Sequence, residues 1–178
     1  ISEYFLIDKL NRKVGKPIDK SEWLMSPQTI NAYYNPTTNE ICFPAGILQP
    51  PLFDPESDDA INYGAIGAVI GHEMTHGFDD QGCQFDKTGE QRNWWTAADK
   101  EAYDKRTKVL EEYFSGIEVI NGKKINGKQT LGENIGDNGG LHVVLRAMHD
   151  DNGVAGDIDG LSADQRFFLG WARIWASN

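Results

Sequence analysis

The stretch Ala65-Ile66-Gly67-Ala68-Val69-Ile70-Gly71-His72-Glu73-Met74-Thr75-His76-Gly77-Phe78 decides how this chain is read. From Ala60 to Phe78 the sequence is apolar on nearly all sides of a helical wheel, which predicts a buried helix. Asp79-Asp80-Gln81-Gly82 ends it. Inside it, His72-Glu73-Met74-Thr75-His76 is an HExxH pattern. On a helix, residues i and i+4 lie about 40° apart and about 6 Å along the axis, so both imidazoles project from one face. That spacing suits two nitrogens at about 2 Å from one zinc ion. Glu73, next to the first histidine, is placed to take a proton from a water on the metal. A pair of core histidines with a surface Glu is the plainer reading. The apolar helix weighs against it, because buried polar side chains need partners.

Such a site needs a third ligand. By chemistry Cys42, Cys83 and several carboxylates qualify. The best stretch is Gly132-Glu133-Asn134-Ile135-Gly136-Asp137-Asn138-Gly139-Gly140. Glu133 and Asp137 are spaced i,i+4 on a predicted helix and share a face. One can bind zinc, and the other can accept the second N–H of a ligating histidine, fixing its tautomer. The glycines would let this helix approach the first closely.

The elements around these two segments are short. Thr29 to Tyr34 and Glu40 to Phe43 read as a hairpin around Pro36-Thr37-Thr38-Asn39. Tyr4 to Leu10 suggests a short amphipathic helix, and Lys16-Pro17 breaks it. Thr96 opens a charged helix that runs to about Phe114, with Gly116 beyond it. Asn121-Gly122 and Asn126-Gly127 are turn dipeptides beside short strands. A helix is expected from Glu133 to about Asp150. Ser162-Ala163-Asp164-Gln165 is a capping box opening a last helix, apolar on most of its surface. No domain linker or repeat interrupts the 178 residues.

Composition narrows the function classes. With 17 Lys+Arg against 27 Asp+Glu, the net charge is −10. That argues against a nucleic-acid binder and against an anionic membrane surface, both of which need basic residues. No run of 18 apolar residues exists to cross a bilayer. Cys42 and Cys83 form neither a disulfide framework nor CxxC zinc pairs, and read as two buried small hydrophobes, with a single disulfide between them as the alternative.

Taken together, five stretches resemble the neprilysin and endothelin-converting enzyme family of zinc metallopeptidases, whose bacterial members are oligopeptidases. They are Asn31-Ala32-Tyr33-Tyr34, Phe43-Pro44-Ala45-Gly46-Ile47-Leu48-Gln49-Pro50-Pro51, His72 to Asp80, Gly132 to Gly140, and Phe167-Phe168-Leu169 with Trp175. They run in family order at family spacing over nearly the whole chain. The resemblance implies one Zn2+ per chain held by His72, His76 and Glu133, with Glu73 as general base and Asp137 orienting His72. It implies peptide substrates whose backbone hydrogen-bonds Asn31 and Ala32, in keeping with an edge strand that accepts an extended peptide. Family specificity is like that of thermolysin, with cleavage on the amino side of bulky apolar residues. The matching pocket walls are Ile47, Leu52, Ala68, Val69, Ile174 and Trp175. Leu52 and Ala68 are smaller than the residues of animal relatives, so a roomier pocket is expected.

Two departures stand out. The family's catalytic His and Arg lie beyond the position of Trp175, and neither His142 nor His149 matches that His; both read as surface residues. The cysteine that animal members carry in the region of Val109 to Phe114 is absent, which points to a bacterial member. The expectation is an α+β, mostly helical, thermolysin-like zincin core with a small sheet and an HExxH active-site helix. Residues 1–178 would be part of a catalytic domain, without the family's N-terminal helical domain and final C-terminal segment. The expected place of action is extracytoplasmic, in a bacterial periplasm or cell envelope, with the cytoplasm as alternative. No membrane contact is expected from this segment. A non-catalytic zinc-binding fragment or peptide-binding module of the same fold is the rival reading; an intact Glu73 and third ligand speak against it. A single-residue aminopeptidase is a second rival, and the GAMEN-type strand common in such enzymes is absent.

Overall fold

The computed structural model describes residues 2–154 and 156–176. Helix α1 (Ser2–Lys13) is followed by a hairpin of β1 (Tyr33–Asn35) and β2 (Glu40–Cys42), antiparallel with Tyr33 opposite Cys42 and Asn35 opposite Glu40. Asn39 takes a positive φ of 52° where the turn closes. Strand β1 begins later than the sequence pattern predicts. The Thr29 N–H donates to the Ser26 carbonyl, so a turn after Ser26-Pro27 uses backbone that the ladder would need. Asn31 and Ala32 precede β1 and lie outside the ladder.

A continuous helical run comes next. It comprises α2 (Asp59–Asn62), a π-helical turn over Tyr63–Gly67, α3 (Ala68–Thr75) and a 3-10 turn over His76–Phe78. Helix α4 (Ala97–Gly116) starts at Thr96, whose hydroxyl accepts the Asp99 N–H as an N-cap should. A small ribbon of β3 (Glu118–Ile120) and β4 (Lys123–Lys124) turns at Asn121 and Gly122, both at positive φ. Helices α5 (Leu131–Asp150) and α6 (Ala163–Ile174) complete the described chain. The Ser162 capping box forms in full, with the Gln165 N–H donating to Ser162 Oγ and the Ser162 N–H to Gln165 Oε1.

The architecture is mostly helical with two small antiparallel sheets, in line with the expected class. Helix α3 packs chiefly on α5, and α6 lies across α2 and the π turn. Ala60, Val144, Met148 and Phe167 form the core between them, Phe167 being wholly buried. A second cluster of Ala32, Ile47 and Ile66, with Phe43, Leu52 and Val69 against it, sits beneath the hairpin. Arg166 is buried and ties α6 down. Its Nε donates to Asp58 Oδ2 at 2.7 Å, and its guanidinium also reaches the Gly156 and Leu161 carbonyls.

The helical run that carries His72 and His76 is less enclosed than its composition predicts. Ala65, Ala68 and Gly71 are buried, but Ile70, Met74 and Phe78 are exposed. These three are spaced i, i+4, i+8, so they share the side of the helix that α5 does not cover. The last helix differs in the same way: Phe168 and Leu169 stand beside Phe167 in sequence yet face outward. Among the described residues no helix is long and apolar enough to cross a membrane.

Candidate metal centre

His72 and His76 leave one face of the α3 run, their rings edge to face with centroids 4.4 Å apart. Helix α5 brings Glu133 to them. Its Oε2 lies 3.3 Å from His72 Nε2 and 3.9 Å from His76 Nε2. The three ligand-type atoms all lie within 4.8 Å of one another. The approach depends on glycine: a Cβ on Gly136 would stand 2.8 Å from His72 Nδ1. One residue further, Asp137 Oδ1 is 2.8 Å from the same Nδ1. An ionised carboxylate can only accept, so the proton sits on Nδ1 and the lone pair of Nε2 is left facing Glu133.

His76 is held likewise, by Asp79 Oδ2 at 2.7 Å from its Nδ1. Asp79 is buried, and its Oδ1 accepts the backbone N–H groups of Gln81 and Gly82 at 2.8 and 2.6 Å. Burial works to raise the Asp79 carboxyl; the hydrogen bonds from His76, Gly82 and Gln81 outweigh it and hold it below the ordinary carboxylate value. The hydrogen bond to Asp79 pushes the His76 imidazole above its usual value, against the effect of burial.

Glu73 is only 5% exposed. Burial pushes its carboxyl up, opposed by the two neighbouring imidazoles. An open cleft of about 350 Å³ joins Glu73, His72, His76 and Glu133 to Asn31 and Ala32. Glu133 forms its outer lip, with a side chain 72% exposed.

The wall residues expected from the sequence divide into two groups. Ile47, Leu52 and Val69 pack together with Ala32, and Ala68 is buried on the same helix as the histidines. Ile174 ends α6 and Trp175 follows it, exposed and stacked edge-on against Trp171; neither joins that cluster. Cys42 and Cys83 are free thiols and do not enter the metal-type cluster. His142 and His149 are exposed, bonded to the Asn138 carbonyl and to Asp164.

Sequence reasoning missed Asp79. Asp79 stands three residues after His76, a spacing that can signal a carboxylate–imidazole pair, but Asp79-Asp80 read as a helix stop.

The sequence profile of peptidase family M13 matches residues 31–178. Endothelin-converting enzyme 1 of Mus musculus is 47% identical over 170 residues, covering 93% of this chain and 22% of that protein. Neprilysin-3 of Drosophila melanogaster is 44% identical over 173 residues, covering 94% of this chain and 22% of that protein. Among solved structures, the Mycobacterium tuberculosis zinc metalloprotease Zmp1 in complex with inhibitor superposes with a TM-score of 0.88 at 50% identity. That match covers 94% of this chain and 27% of the Zmp1 chain. The chain therefore spans about a quarter of the length of these relatives or less. With the family profile matched over most of its length, the chain belongs to peptidase family M13.

Proposed function

We propose that this chain is the metal-bearing part of the catalytic domain of a zinc metalloendopeptidase that cuts short peptides on the amino side of bulky hydrophobic residues. The observation that carries the proposal is the convergence of His72 Nε2, His76 Nε2 and Glu133 Oε2 beside the buried Glu73, at the edge of a cleft bordered by Asn31 and Ala32. Two imidazoles and one carboxylate fit a catalytic zinc site, in which a fourth position stays open for water and substrate. Both Nδ1 atoms are anchored on carboxylates, so both Nε2 lone pairs are available to the ion.

When bound, zinc supplies a Lewis acid that polarises the scissile carbonyl and makes a water acidic enough to ionise near neutral pH. Glu73 takes the proton from the attacking water and passes it to the leaving amine. Its burial strengthens its hold on that proton, which suits the shuttle. Asp137 holds the His72 ring in place. Asn31 and Ala32 lie outside the hairpin ladder and border the cleft beside His72, Glu73 and Glu133, which supports their role in hydrogen-bonding an extended peptide. Ile47, Leu52, Ala68, Val69, Ile174 and Trp175 are proposed as pocket walls; the apolar cluster of Ile47, Leu52 and Val69 against Ala32 supports the first part of that set. The place of action that accompanies this reading is outside the cytoplasm.

A peptide panel tests the proposal on the full-length protein. Peptides with blocked amino termini should be cut before Phe or Leu, and a zinc chelator should abolish cutting. Release of single amino-terminal residues from unblocked peptides alone would overturn the endopeptidase reading.

A further inference from the structure

We infer that Asp79 is a positioning residue which sets the tautomer of His76, through a turn built so that only a carboxylate serves there. The inference rests on the proposed role of His76 as a zinc ligand. The two oxygens of Asp79 have separate tasks. Oδ1 accepts two backbone N–H groups, from Gln81 at 2.8 Å and Gly82 at 2.6 Å. Oδ2 faces His76 Nδ1 at 2.7 Å. The turn is pressed onto the end of the helix as well: a Cβ on Gly82 would lie 1.8 Å from the His76 carbonyl oxygen. The Cys83 N–H, one residue on, closes it by donating to the Asp79 carbonyl at 3.0 Å. His76 is thus gripped at its imidazole and at its backbone by one four-residue turn.

This geometry makes the isosteric amide the wrong group. Two N–H donors already point at the Oδ1 position, so an Asn at 79 must place its oxygen there. Its NH2 then faces His76 Nδ1 and donates to it. Nδ1 becomes an acceptor, and a neutral imidazole moves its proton to Nε2. That nitrogen is the one directed at Glu133, 3.9 Å from Oε2. A protonated Nε2 has no lone pair for a metal. Asp80, the adjacent acid, has no such role: its Oδ2 accepts from the Gln81 side chain at 3.1 Å.

The test compares wild type, Asp79→Asn and Asp80→Asn in the full chain, labelled with 15N at histidine. Metal-free protein at mildly alkaline pH reports the His76 tautomer by long-range 1H–15N correlation. Competition with a chromogenic chelator reports zinc affinity. Wild type and Asp80→Asn should carry the proton on Nδ1; Asp79→Asn should carry it on Nε2 and bind zinc roughly 10- to 100-fold more weakly. An unchanged His76 tautomer in Asp79→Asn overturns the inference, whatever the metal does. If the tautomer switches while wild type itself fails to bind zinc, the switch supports the positioning role of Asp79, and it is the metal reading that fails.

Discussion

Gly71 of α3 and Gly140 of α5 face each other where the two helices that carry the metal-type residues pass backbone against backbone. A Cβ on Gly71 would sit 2.7 Å from the Gly140 carbonyl oxygen, and a Cβ on Gly140 would sit 2.5 Å from the His72 backbone nitrogen. Neither neighbour is a flexible side-chain end, so only glycine permits this approach. The distance from His72 to Glu133 depends on it.

Gly140→Ala should therefore force the helices apart. Overpacking of this kind costs about 1–3 kcal/mol, and for a chain of this size each kcal/mol lowers the melting temperature by about 2–4 °C. Zinc affinity should fall with it, because His72 moves relative to Glu133. A thermal melt and a chelator titration check both; wild-type values in the two measurements would show that the helices do not meet this closely.

Glu73→Gln should keep zinc and lose turnover. The amide preserves the shape of the buried side chain but cannot take the proton. A drop of about 10²- to 10⁴-fold in kcat is the usual size of a general-base effect. Metal analysis beside a peptide assay on the full-length protein distinguishes the cases, and retained turnover would remove Glu73 from the reaction.

Glu133→Ala should weaken zinc binding itself. The residue is exposed and makes no core contact, so the melting curve of the metal-free chain should stay within about 0.5 kcal/mol of wild type. Zinc content after dialysis is the measurement. Equal content in variant and wild type would exclude Glu133 as a ligand.

Asp58→Ala should be one of the costliest substitutions far from the cleft. It removes the carboxylate that Arg166 holds in the interior between α6 and the start of α2. Breaking a buried ion pair at one partner costs about 3–5 kcal/mol. Denaturant unfolding reads it directly, and a loss below about 1 kcal/mol would mean that Arg166 does not depend on Asp58 for its support.

Much of the centre was legible because it is local. HExxH places two imidazoles on one helix face by helical period alone, and Glu133 with Asp137 obeys the same period. Caps behave similarly: Thr96 and Ser162 satisfy backbone groups within three residues of themselves, so their neighbours in sequence suffice to find them. Apolar residues were harder to place. Ile70, Met74 and Phe78 read as core, since periodicity identifies an apolar face without saying what covers it.

The sequence by itself determined the donor types, their spacing along each helix and the glycines that allow a close crossing. These follow from the helical repeat and from the missing Cβ, both properties of neighbouring residues. Tertiary structure decided which of several oxygens and sulfurs meets the two imidazoles, bringing Glu133 in and leaving Cys42 and Cys83 out. It also decided that β1 begins at Tyr33, and that the Asp79 turn folds back on His76. Those outcomes depend on how distant segments share backbone hydrogen bonds and space, and no local period encodes that competition.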